Sequence, residues 1–145
     1  MTVKLQNSKT MLLWDESYNL AASQDFSDRI GMACVFSSSV TSGEATVTSP
    51  SGTTGVRIAG ILKINNAKYA SDSSNVRAVV CKLGMCAGRA LGAISAGVEL
   101  MVGDSYGRLT TATGSGKYVV AIAREAAIEA DDMIAIEVVS QYPLT

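Results

Sequence analysis

A chain of 145 residues has the size of one ordinary domain, large enough to bury a core without disulfides or a metal. Its net charge of −1, with twelve Lys and Arg scattered rather than clustered, excludes the basic patch that neutralises a phosphate backbone, so nucleic acid is not an expected partner. Hydrophobic residues make up 48% against 17% charged, and the mean hydropathy is +0.24, apolar enough to predict that part of the surface meets another subunit. No apolar run approaches the roughly 18 residues that cross a bilayer. The N-terminus has no basic region followed by an apolar signal segment, so neither a membrane span nor export by that route is expected. Cys34, Cys81 and Cys86 are an odd number without the dense spacing of a secreted disulfide scaffold, which suits a reducing cytosol and reads as small core residues.

In chain order, Val3 and Leu5 alternate with Lys4 and Gln6, the pattern of a short strand or extended arm. From Lys9 to Ile30 the period is lost. Met11, Leu12, Leu13 and Trp14 cluster, Tyr18, Leu20 and Phe26 follow at irregular intervals, and Ser23 or Asp25 could cap a turn of helix. The expectation is an irregular, partner-supported arm over 1–30. Gly31 to Phe36 is a compact apolar run bounded by glycine and a serine triplet, consistent with a buried strand. Glu44 to Thr48 is the next strand, and Ser49-Pro50-Ser51-Gly52 is a turn in which proline fixes one φ and glycine accepts a positive one.

Gly55 to Ile64 predicts a strand with Val56, Ile58, Leu62 and Ile64 on one face, Gly60 marking a bulge. A polar connection, Asn65 to Asn75, leads to a strand over Val76–Leu83. Gly84, Gly88 and Gly92 then predict a glycine-bent connection, because a missing Cβ permits tight curvature. The last third is the most regular. Val98, Leu100 and Val102 fall on every second residue, as do Ile134, Ile136 and Val138, with Glu99, Ala135 and Glu137 between them. Further strands are expected near Arg108–Thr111 and Tyr118–Arg124. One wet and one buried face per strand is the signature of an antiparallel sheet. The fold class is therefore all-β: a small antiparallel β-barrel or sandwich over 31–145, preceded by the irregular arm.

Little of the chemistry survives inspection. With no histidine, a Ser-His-Asp or Cys-His relay cannot be assembled, and no catalytic constellation is found, so an enzyme is not expected. Cys81 and Cys86 would need two further ligands to close a zinc site, and only Cys34 remains. Asp104-x-x-Gly107 lacks the carboxylate alternation and distal Glu of a calcium loop and reads as a turn whose aspartate accepts backbone hydrogen bonds. Asp131-Asp132 reads as a solvated turn. Gly114-Ser115-Gly116-Lys117 lacks the spacing of a phosphate loop and is followed by a strand. No metal, cofactor or small-molecule substrate is expected. Trp14, Tyr18 and Phe26 either complete the core or anchor a subunit contact, where aromatic residues are enriched. With Leu12 and Leu13 they are the candidate interface residues.

The succession Ser95–Val102 (SAGVELMV), Gly103–Thr110 (GDSYGRLT), Tyr118–Ala127 (YVVAIAREAA) and Ala130–Val139 (ADDMIAIEVV) resembles the tailed-phage capsid decoration proteins, also called cement or head-stabilisation proteins. The match covers the last third well and the middle third loosely, from Ala59-Gly60-Ile61 and through Val76 to Gly84. The residues before Ile30 have no counterpart in the pattern. The resemblance implies a small β-barrel, commonly trimeric, that binds the outside of the expanded head and holds neighbouring major capsid proteins together. The expected location is the outer capsid surface of the virion, after synthesis in the host cytoplasm. The alternative is a carbohydrate- or receptor-binding barrel of a phage tail or fibre. The binding surface is expected in Met1–Phe36, where the barrel pattern stops.

Overall fold

A computed structural model describes residues 14–20, 28–41, 44–52, 54–65 and 77–145. Leu12, Leu13, Phe26, the Val3–Leu5 alternation and the turn after Ser23 or Asp25 lie outside the described residues. Among those described, the regular structure is all strand: β1 (Trp14–Leu20), β2 (Ala33–Thr41), β3 (Glu44–Thr48), β4 (Gly60–Asn65), β5 (Arg77–Arg89), β6 (Glu99–Val102), β7 (Leu109–Thr111), β8 (Tyr118–Ala123) and β9 (Met133–Pro143). The sheet order is β1-β3-β2-β4-β5-β9-β8-β6-β7, with β1 also paired to β5. Strand pairs are antiparallel except β1–β3. The all-β, barrel-like expectation holds.

β5 organises this order. Its first half, Arg77 to Leu83, pairs with β1 and β4, and its second half, Gly84 to Arg89, pairs with β9. Because β1 returns to β3, the pairings of the first five strands run round to their start. On the other side a parallel bridge joins Ala90 to Leu109, and the Leu91 N–H donates to the Leu109 carbonyl at 2.8 Å, so the β9-β8-β6-β7 succession also returns to the end of β5. Curling the sheet back on itself at both ends covers strand edges that would otherwise expose unpaired N–H and C=O groups.

The interior is correspondingly double. Cys34, Val47, Ala59, Leu62, Ala78 and Val80 form one apolar cluster, with Tyr18 and Ile30 packed on it. Ile61, Cys81, Leu100, Val102, Leu109, Val120, Ile136 and Val138 belong to the larger one. Val80 and Cys81 are both fully buried although they are neighbours on a strand. Consecutive side chains point to opposite faces, so β5 supplies both clusters at once, which explains the unbroken apolar run Ala78–Cys81. Within the last third the alternation read from the sequence holds: Ile134, Ile136 and Val138 are buried while Ala135 and Glu137 are not.

Three expectations are corrected. Trp14–Leu20 is not irregular: it is a ladder strand, paired from Trp14↔Leu83 to Asn19↔Arg77. The Gly84–Arg89 segment is not a connection but the second half of β5, with Gly84 at φ 101° where the strand changes partners. The strand expected from Gly55 begins at Gly60, and its irregularity lies at Lys63, because Leu62 faces Val80 while Ile64 faces Val79. Gly60 is required for close approach instead, since a Cβ there would stand 2.7 Å from the Cys81 carbonyl oxygen.

The β6–β7 turn ties the two halves together. Asp104 Oδ1 accepts from the Tyr106 and Arg108 N–H groups at 3.1 and 3.0 Å, and Oδ2 accepts from Arg108 Nε at 2.8 Å. The turn carries Gly107 at φ 93° against Ala33, whose N–H donates to the Gly107 carbonyl at 2.7 Å. Arg29 lies over the Tyr106 ring, 4.8 Å from its centroid, and reaches Ser49 Oγ at 2.5 Å. A Cβ on Gly107 would overlap the Ala33 carbonyl oxygen. Gly107→Ala combines that overlap with a positive φ, so it is expected to destabilise the fold by about 2 kcal/mol or more, read as a lower urea midpoint; an unchanged midpoint would contradict this docking.

Cys34 is 1% exposed, and burial pushes its thiol from 9.0 up to about 12. A raised folded pKa leaves stability whole below pH 9 and erodes it as pH climbs toward about 12, because the unfolded chain ionises first. The slope from this one group is about 1.4 kcal/mol per pH unit. Urea titrations from about pH 8 upward should show the native protein losing stability more steeply than Cys34→Ala; parallel curves would contradict the assignment.

Candidate functional site: a lysine-centred aromatic cluster beside a cleft

β-Bulges re-aim side chains by leaving one residue without a ladder partner, and three such places converge on one region of the surface. On β5, Leu83 faces Trp14 and Cys81 faces Asp15, so Lys82 is the extra residue. On β4 the extra residue is Lys63. On β9, Val138 faces Ala121 and Tyr142 faces Val119, so the stretch Val139–Gln141 bows out from the ladder.

Each released side chain finds a partner. The Lys82 ammonium lies 5.0 Å from the ring centroid of Trp14, 5.3 Å from that of Tyr18 and 5.4 Å from that of Phe36. It also donates to the Tyr18 hydroxyl at 2.8 Å. Tyr18 and Phe36 meet edge to face, with centroids 5.2 Å apart and planes at 90°, a favoured arrangement for ring quadrupoles. The Trp14 indole N–H donates to Glu16 Oε1 at 2.8 Å, which fixes the ring on β1. Lys63 Nζ donates to Asp15 Oδ2 at 2.8 Å, and that bond raises the lysine pKa. The Gln141 side-chain amide accepts from the Ile58 N–H at 2.7 Å and donates to the Ile58 carbonyl at 2.8 Å, standing in for a ladder partner ahead of β4.

Beside the Lys82 bulge a cleft of about 250 Å³ opens, lined by Trp14, Ile58–Gly60, Lys82, Leu83 and Val138–Gln141. Trp14 is 50% exposed and Phe36 48% exposed. A half-exposed pair of large rings held by a cation and a partly buried tyrosine is the composition of an interface anchor, because little side-chain entropy remains to be lost on binding.

Of the residues singled out from the sequence, Trp14 and Tyr18 come together here, whereas Leu12, Leu13 and Phe26 lie outside the described residues. Phe36, Lys82 and Gln141 were not singled out. Phe36 carried a signal, as the one large aromatic on a run otherwise bounded by serines, but Lys82 and Gln141 acquire their roles only through bulges.

Lys117 and Asp132, weighed for chemistry in the sequence, make contacts within the fold. Lys117 Nζ donates to the Thr54 carbonyl at 3.0 Å and to its hydroxyl at 3.3 Å. Asp132 Oδ2 accepts from the Ile128 and Glu129 N–H groups at 2.8 and 3.1 Å, holding its carboxyl below the usual range, as a turn aspartate does. Among the described residues no group of three or more His, Cys, Asp or Glu could hold a metal ion, and no helix is long and apolar enough to cross a membrane. No family model matches the chain, and no curated protein matches it.

Because three rings share one ammonium, Lys82→Met is expected to cost about 1–2 kcal/mol by urea denaturation, with Lys82→Arg recovering part of it. A change in the emission of Trp14, the single tryptophan, should accompany the loss; an unaltered emission and midpoint would show that the cation does not hold the rings.

Proposed function

We propose that this protein is a structural component of a tailed-phage virion that binds the outer surface of the mature, expanded capsid and stabilises it by bridging major capsid proteins, without catalysis. The observation that carries the reading is the exposed Trp14–Phe36 pair on a barrel-like all-β scaffold, together with the resemblance of Ser95–Val139 to decoration proteins. The scaffold supplies rigidity, and the aromatic cluster supplies the apolar contact. A homotrimer presenting three such clusters gains avidity, since each further contact after the first is effectively intramolecular. Binding only the expanded lattice stabilises that lattice by mass action, in proportion to RT ln(1 + [L]/Kd). Apolar burial at about 25 cal/mol per Å² is the main attractive term in this scheme.

One observation favours a second reading. Trp14 borders a cleft that also presents Lys82, Ser140 and Gln141, a ring and polar groups side by side, as a carbohydrate- or receptor-binding module of a tail or fibre would require.

Mixing the purified protein with phage heads before and after expansion and imaging both distinguishes these. Decoration of expanded heads alone is expected, and Trp14→Ala should weaken it by at least about tenfold, as for an interface hot spot. Binding to neither form of head, with retention on a glycan array, would replace the first reading by the second.

A further inference from the structure

The two cysteines of β5 lie outside the mechanism just described. A straight strand rises about 3.3 Å per residue and alternates faces, which would leave Cys81 and Cys86 about 16 Å apart on opposite sides. That separation is far beyond disulfide reach. β5 is not straight between them. Lys82 is bulged out and Gly84 takes a φ of 101°. Past the bend, Cys86 packs against the same apolar cluster to which Cys81 belongs. The two thiols lie close enough that each shifts the other's ionisation, Cys81 downward and Cys86 upward. The Cys81 sulfur also sits 3.5 Å from the Leu83 carbonyl and 3.7 Å from the Gly84 carbonyl, so the bend itself cradles it. Cys34 belongs to the other cluster, and all three thiols are free.

We propose that Cys81 and Cys86 are a redox pair that closes to an intrachain disulfide across the bend of β5 when exposed to glutathione disulfide. Cys86 is the partly exposed member and Cys81 the buried one. The Cys86 thiol gives its proton to solvent, and its sulfur attacks one sulfur of glutathione disulfide. That S–S bond breaks and the first glutathione leaves as a thiolate, which takes up a proton. The Cys81 thiol then gives up its proton, and its thiolate attacks the Cys86 sulfur and displaces the second glutathione as a thiolate, which takes up that proton. Two protein thiols lose two electrons and two protons, and glutathione disulfide becomes two molecules of glutathione. The covalent link pins the strand on which both clusters depend.

The test uses the full chain, equilibrated with glutathione disulfide, denatured in acid and titrated for thiols. The count is expected to fall from three to one, with no glutathione retained and a peptide map joining Cys81 to Cys86; dithiothreitol should restore all three. Cys81→Ser should instead keep glutathione attached at Cys86, because nothing remains to displace it. Three persistent thiols, a stable glutathione adduct on the native protein, or a link through Cys34 would each overturn the proposal. The thiol count and map of the native protein decide the matter even if the serine variant does not fold.

Discussion

Everything in this molecule depends on β5 having backbone partners on two successive sets of strands. Over Arg77–Leu83 its N–H and C=O groups are taken by β1 and β4, and over Gly84–Arg89 by β9. A buried polar backbone group without a partner costs about as much as a lost hydrogen bond, so the exchange of partners has to occur without a gap. Gly84 permits it. A residue at φ 101° turns the strand within one step, and only glycine takes that conformation without steric cost. Because neighbouring side chains face opposite ways, the same strand then fills two clusters, Ala78 and Val80 in one and Cys81 in the other.

Bending a ladder this sharply leaves residues over, and those residues make the candidate site. Lys63, Lys82 and Gln141 occupy positions where one strand carries extra residues relative to its partner. Each would otherwise present a solvated side chain. Instead Lys63 pairs with Asp15, Lys82 lies among three rings, and Gln141 closes the backbone of Ile58. The surface that can meet a partner is thus a by-product of the device that joins the two halves of the sheet. Its anchoring rings are held by interactions internal to the fold.

The charged residues that invite a chemical reading are absorbed by the same architecture. Asp104 satisfies two N–H groups of its own turn and orients Arg108, which reaches Asp131 at 3.3 Å. Asp132 satisfies two more N–H groups, and Lys117 holds Thr54. In a sheet with tight turns, short carboxylates are the cheapest acceptors for donors that have no ladder partner.

The strands of the last third were legible from side-chain parity, because each has one buried and one wet face and the period of a strand is set by its own backbone. The turn role of Asp104 and the absence of a histidine relay were legible for the same local reason. Trp14–Leu20 was not, since its polar residues Asp15, Glu16 and Asn19 hide the alternation and its ladder partner stands far along the chain at Arg77–Leu83. The continuation of β5 through Gly84 was not legible either, because a glycine that ends one ladder and a glycine that begins the next look alike in sequence. The residue order by itself determined an all-β chain, its regular C-terminal strands and its structural aspartates, all consequences of nearest-neighbour geometry. Only the tertiary structure decided that Trp14, Tyr18, Phe36 and Lys82 share one place and that Cys81 meets Cys86, because both depend on which residue each bulge leaves unpaired, and that is set by the long-range register.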